Sequence, residues 1–208
     1  ETVSGTGAVR FDDDTTNRQV SGATNVILHG IQVSGAENDL RLKATFNGVE
    51  LAATNFTVAD VSLPAIGGLA LGLTNGYDAQ MTPALSGTNV TLALERIAGA
   101  SGAASFGGGA ATLVLQSPAT LAIRGDEISS EAGNLRLVAR ADGQELAGVN
   151  FTVYTLACAP LDFVAVGGVT NVQVTLSPSP LGGNMAFALA PALDTNGLPL
   201  GAGAAAFD

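Results

Sequence analysis

Tryptophan is absent from this chain, cysteine and histidine occur once each, as Cys158 and His29, and Lys43 is the only lysine. A serine or cysteine nucleophile activated by an imidazole needs a histidine beside it, and a histidine- or cysteine-rich metal centre needs several ligands. One of each leaves little room for either, so the chain is read as a non-enzyme that requires no cofactor. A single cysteine cannot close a disulfide within the chain, and Cys158 is expected to serve as a small core hydrophobe. Aromatic residues make up 5% of the sequence, too few for the stacking platforms that hold sugars or bases. Positive charge is scarce as well: 8 basic against 18 acidic residues give a net charge of -10, which repels nucleic-acid phosphates and anionic lipid heads. Nucleic acid is therefore not an expected partner. No uninterrupted apolar stretch reaches the roughly 18 residues that cross a bilayer, so membrane insertion is not expected. The sequence starts at Glu1 without a signal peptide, the mark of a mature product or of an excerpt.

What the chain does have is a long internal repeat. Residues 39–58 lie over residues 134–153 at an offset of 95 without a gap, with 12 of 20 positions identical. The same offset of 95 carries Phe11 onto Phe106, Gly30 onto Gly125, Pro83 onto Pro178 and Asn89 onto Asn184. A period of that length is too long for a solenoid unit and matches one small domain.

The apolar pattern has period two. Val90, Leu92 and Leu94 alternate with smaller residues, as do Leu40 with Leu42 and Leu135 with Leu137, the sign of half-buried strands. Asn47-Gly48 and its counterpart Asp142-Gly143 tolerate the positive φ of a type I′ turn, so hairpins are predicted over 39–46 with 49–58 and over 134–141 with 144–153. No stretch carries a helical stripe, and Gly, Pro, Asn and Thr recur every few residues. The expected fold class is all-β.

These elements together resemble a known family. A Pro-containing first strand (Val174-Thr-Leu-Ser-Pro178), a Gly-x-x-x-Phe strand (Gly102 to Phe106), a Thr/Ala-rich strand ending at Gly125 and a hairpin closing on Phe-Thr-Val look like tandem bacterial immunoglobulin-like domains of the invasin-like kind. The resemblance implies Greek-key β-sandwiches in an extracellular or cell-surface repeat protein, and carries no catalytic residues.

In that family a module runs from one Phe-Thr-Val to the next. Residues 59–153 would then be one complete module, residues 1–58 the back strands of another, and residues 154–208 the front strands of a third, with Gly203 to Phe207 as a further strand. Each end holds what the other lacks. An open sandwich exposes an apolar face and unpaired edges, which soluble proteins seldom leave bare. Three completions are open: a fold-back of one end onto the other, head-to-tail exchange between chains, or neighbours in a longer array.

For exchange between chains, the expected contact positions are Val9 and Phe11 at the front and Val174, Leu176, Phe187, Leu189 and Phe207 at the back. Other candidates are local. Asp12, Asp13 and Asp14 form an acidic loop that could offer oxygen ligands to Ca²⁺, although adjacent side chains rarely converge on one ion. Asn55, Asn89 and Asn150 head Asn-x-Thr triplets and are candidate glycosylation acceptors. Arg124-Gly125-Asp126 spells a tripeptide that resembles integrin ligands, whose glycine the repeat already explains through Gly30. His29 is expected to be an exposed strand-end residue. The functional expectation is a structural subunit of an extracellular filament, fibre or stalk whose partner is another copy of itself. The other reading is an adhesin or carbohydrate-binding accessory module, with a glycan or host receptor as partner.

Overall fold

The computed structural model of the chain describes residues 6–22, 24–86, 90–179 and 186–190. Every regular element among them is a β-strand, so no helix there is long and apolar enough to cross a membrane. The strands fall into three groups along the chain. The first holds β1 (Ala8–Phe11), β2 (Leu28–Gln32), β3 (Leu40–Phe46) and β4 (Val49–Phe56). The second holds β5 (Asp60–Ser62), β6 (Gly67–Ala70), β7 (Thr74–Thr82), β8 (Val90–Arg96), β9 (Ala103–Phe106), β10 (Thr112–Leu115), β11 (Ala119–Glu127), β12 (Leu135–Ala141) and β13 (Gln144–Cys158), and among the described residues β14 (Val174–Ser177) alone follows.

The second group makes two sheets over one core. One sheet has the order β5-β7-β11-β9, the other β10-β8-β12-β13 with β6 added in parallel to β13. Alternation along each strand sends one set of side chains inward: Leu121 and Ile123 from β11, Val90 and Leu92 from β8, Leu135 and Leu137 from β12, Phe151 and Val153 from β13. Small residues fill what aromatics do not, and the cluster extends without interruption from Val61 to Val153. This arrangement fits a β-sandwich.

The hairpin turns have the backbone that their sequences predict. Asn47 and Gly48 lie at φ 52 and 80, Asp142 and Gly143 at φ 49 and 77, so both central residues of each turn are left-handed. The strands they join pair with the same register in both copies. Leu40 faces Phe56 as Leu135 faces Phe151, and the ladder slips at Ala44/Thr45 as it does at Ala139/Arg140.

Strand direction positions the rest. β5 runs antiparallel to β7, β7 antiparallel to β11, and β6 parallel to β13. A parallel bridge between Leu71 and Gly125 aligns β6 with β11, so β5, β6 and β13 all point the same way. The chain thus enters the closed unit at one pole and leaves it at the other, about 30 Å away at the usual rise per strand residue. Neither crossing has slack. β4 is followed within a few residues by β5, and β13 continues unbroken through Tyr154 into the segment that pairs with β14.

Candidate functional site

Outside the closed unit, every strand pairing is a copy of one inside it. β1 pairs with β2 through Val9 opposite Gly30 and Phe11 opposite Leu28, as β9 pairs with β11 through Ala104 opposite Gly125 and Phe106 opposite Ile123. The last residues of β13 pair with β14 through Leu156 opposite Leu176, as β5 pairs with β7 through Val61 opposite Met81. Each of these correspondences is an offset of 95. The front segment therefore supplies copies of β9, β11, β12 and β13, and the back segment supplies copies of β5 and β7.

The two strand pairs of the front segment are joined to each other. The Ser34 amide donates to the Val58 carbonyl at 2.8 Å and the Val58 amide to Ser34 Oγ at 3.0 Å, tying the β1-β2 layer to β3-β4. Ser129 and Val153 make the same pair of bonds at 2.8 and 2.9 Å in the closed unit. Across the hairpin, Arg41 meets Glu50 at 2.5 Å as Arg136 meets Glu145 at 2.5 Å. Several of the repeated identities are thus explained locally, with Leu and Phe on the inner face, Arg and Glu on the outer face, and Thr57 or Thr152 accepting a loop amide at 2.7 Å.

Among the described residues, inward positions of the end segments are open. Leu69 is wholly buried, yet its counterpart Val164 is 49% exposed; Leu92 is likewise buried, while its counterpart Phe187 is 50% exposed. Val26 corresponds to buried Leu121 and stands 38% exposed. Leu156, Leu161 and Leu189 are open too. Edges are free along with faces. In the closed unit β12 lies between β8 and β13, and β11 between β7 and β9. Among the described residues β3 has only β4, and β2 only β1.

The expected contact positions fall on these faces without being brought together. Val9 and Phe11 are half-buried on β1, Val174 and Leu176 half-buried on β14, and Phe187 and Leu189 exposed in a segment without strand pairing. Phe207 lies outside the described residues. Sequence reading missed Val26, Leu42, Val58, Leu161 and Val164. The offset could have found them, once it was known which of their counterparts are buried.

Cys158 corrects an expectation. It is exposed at the end of β13 opposite Val174 rather than packed in a core. Its counterpart Leu63 packs against the closed core, so the position is an inward one whose cover is absent among the described residues.

The remaining candidates are occupied locally. Asp12 pairs with Arg18, and Asp13 Oδ1 accepts from Thr15 Oγ1 at 2.6 Å and from the Thr15 amide at 3.1 Å. The Thr15 hydroxyl, then its amide, hold the Asp13 carboxyl below its usual range. No cluster of three or more His, Cys, Asp or Glu placed to hold a metal ion occurs among the described residues. Asn55 and Asn150 are exposed on β4 and β13, and Asn89 lies outside the described residues. His29 is exposed on β2 opposite Arg10. Arg124-Gly125-Asp126 lies within β11, where Gly125 faces Val153 and Arg124 pairs with Asp126 at 3.6 Å. An open depression on the β3-β4 hairpin is lined by Arg41, Ala53, Thr54 and Asn55.

The described residues thus form an all-β protein in which two sheets close over one core, with strand pairs before it and one further strand after it in sequence. Compared with known proteins, the sequence matches no family model and no curated protein.

Proposed function

We propose that this chain is a structural subunit of an extracellular surface filament, fibre or stalk, built head to tail as the back segment of one chain completes the front segment of the next. The closed unit and both joints would then be immunoglobulin-like sandwiches in tandem, in line with the family that the sequence resembles. Localisation rests on that resemblance. The assembly mechanism rests on one observation: positions buried in the closed unit are exposed at both ends, and the pairings that would cover them do not occur among the described residues.

The direction of the strands favours exchange between chains over a fold-back. β4 leads almost directly into β5 at one pole, and β13 continues directly into the back segment at the other. A fold-back would have to bridge the length of the closed unit, about 30 Å, with no linker on either side. A joint in which one patch meets a different patch is heterologous, and at opposite poles it propagates rather than closes. Burying side chains such as Val164, Leu156, Phe187 and Val26, 38–50% exposed now, contributes on the order of 1 kcal/mol apiece against the cost of ordering the segments.

Light scattering across a concentration series tests this. Concentration-dependent oligomers or polymers are expected from the full chain, and monomers once residues 154–208 are deleted. A full chain that stays monomeric at high concentration overturns the proposal.

A further inference from the structure

The closed unit fixes the register that a joint between chains would adopt. Resting on the head-to-tail reading above, we propose that the back segment enters the front segment of a second copy as three added strands at three defined positions. On the free edge of β2, residues 169–174 lie antiparallel with Val26 opposite Val172 and Ile27 opposite Asn171. This is the β11-β7 pairing of Leu121 with Tyr77 and Ala122 with Gly76, moved by the offset of 95 on each side. On the free edge of β3, residues 187–190 lie antiparallel with Leu42 opposite Leu189 and Ala44 opposite Phe187. The β12-β8 pairing of Leu137 with Leu94 and Ala139 with Leu92 is the template. Beside the end of β4, residues 162–165 lie parallel with Val58 level with Val164, as Val153 is level with Leu69.

The three additions reproduce both sheets of the closed unit at once. One becomes 155–158, β14, β2, β1, matching β5-β7-β11-β9; the other becomes 186–190, β3, β4, 162–165, matching β8-β12-β13-β6. Inward positions are apolar on both sides of the joint: Val26, Leu28, Leu42 and Val58 from the acceptor, Leu156, Val164, Leu176 and Phe187 from the donor. Because side chains alternate, a slip of a donor strand by one residue would turn that strand's inward residues outward, so the register is specified as firmly as the core is. Residues 186–190 have no strand pairing and are exposed throughout, as expected of a strand whose ladder partner is on another molecule.

Cysteine cross-linking between chains reads the register directly. Ile27→Cys is placed in one chain and Asn171→Cys in another, each with Cys158→Ser, and the two are assembled together and oxidised. These positions face outward, since their counterparts Ala122 and Gly76 are exposed. A disulfide-linked dimer is expected from this pair at about tenfold the yield of Ile27→Cys with Val172→Cys, where the slip puts the two thiols on opposite faces. Lys43→Cys with Ala188→Cys gives an independent reading on the other sheet, against Lys43→Cys with Phe187→Cys. Light scattering of the same mixtures before oxidation separates two failures. Chains that assemble but cross-link equally well or better at the slipped pairs overturn the register and leave head-to-tail assembly standing. Chains that do not assemble overturn both.

Discussion

At the scale of single residues, the repeat records which atoms must not be present. A Cβ at Gly125 would stand 2.9 Å from Val153 Cγ1 and 3.0 Å from the Ala70 carbonyl oxygen, and one at Gly30 would stand 2.8 Å from Val58 Cγ1. Both glycines sit where β11 or β2 passes beneath the last residues of the closing strand. Gly125→Ala presses on backbone and is expected to cost about 1–3 kcal/mol, read as a lower urea midpoint at constant slope. Gly30→Ala meets only the Val58 side chain, beside an open face, and should cost less. Leu137→Ala empties the centre of the closed core, where the side chain is wholly buried, and should cost about 2–5 kcal/mol. Leucine and glycine at these places were legible from the offset alone. That Cys158 would be exposed was not, because its surroundings depend on strands from elsewhere rather than on its own neighbours.

Elements tell a similar story at longer range. Hairpins were legible because turn and strands are contiguous: Asn47-Gly48 and Asp142-Gly143 carry their own backbone preference, and alternation on both sides sets the register. The continuation of β13 to Cys158 was harder to see, since Thr155 to Cys158 are held by β14 some twenty residues later. One difference between the copies predicts different responses to acid. Asp39 is buried, and the Ser34 hydroxyl, followed by the amides of Gly35, Ala36 and Gly7, holds its carboxyl below the ordinary value of 3.8 despite burial. The closed unit has uncharged Asn134 there, donating to the Ser101 carbonyl and to Ser130 Oγ at 2.9 Å each. A folded pKa below the unfolded one contributes stability that is fully present above 3.8 and is lost as the pH falls through the folded value. Amide protection in residues 6–22 and 24–58, measured against the intrinsic exchange rate at each pH, should therefore fall below pH 3.8, through this group, before protection in the closed core does. Asp39→Asn should flatten that dependence; an unchanged acid profile in the variant would assign the effect to other carboxylates.

For the whole molecule, the decisive quantity is the contrast between equivalent sites in closed and open surroundings. Leu137 and Leu42 are the same residue on the same strand of the repeat, one wholly buried and one half-covered on an edge without a neighbour among the described residues. Truncation at Leu137 should lower stability whether or not chains associate. At Leu42, truncation should hardly change the unfolding of a dilute chain, because little surface is lost from a core that is not closed. Where chains associate, the same change removes apolar contact from the joint and should raise the concentration needed for half-assembly by roughly tenfold or more, since about 1.4 kcal/mol is a tenfold change in affinity. Cys158 reports the same event without any substitution. Its thiol is exposed in the single chain, while its counterpart Leu63 is partly covered by the closed core. Reaction with a thiol reagent should be rapid at low protein concentration and slow progressively as chains join, with the midpoint tracking light scattering. A thiol that reacts at the same rate across the whole concentration range, in samples shown to contain assemblies, would mean that the joint leaves this end of the donor uncovered. The pairing of residues 155–158 beneath the acceptor core would then be wrong, even with the chains joined head to tail.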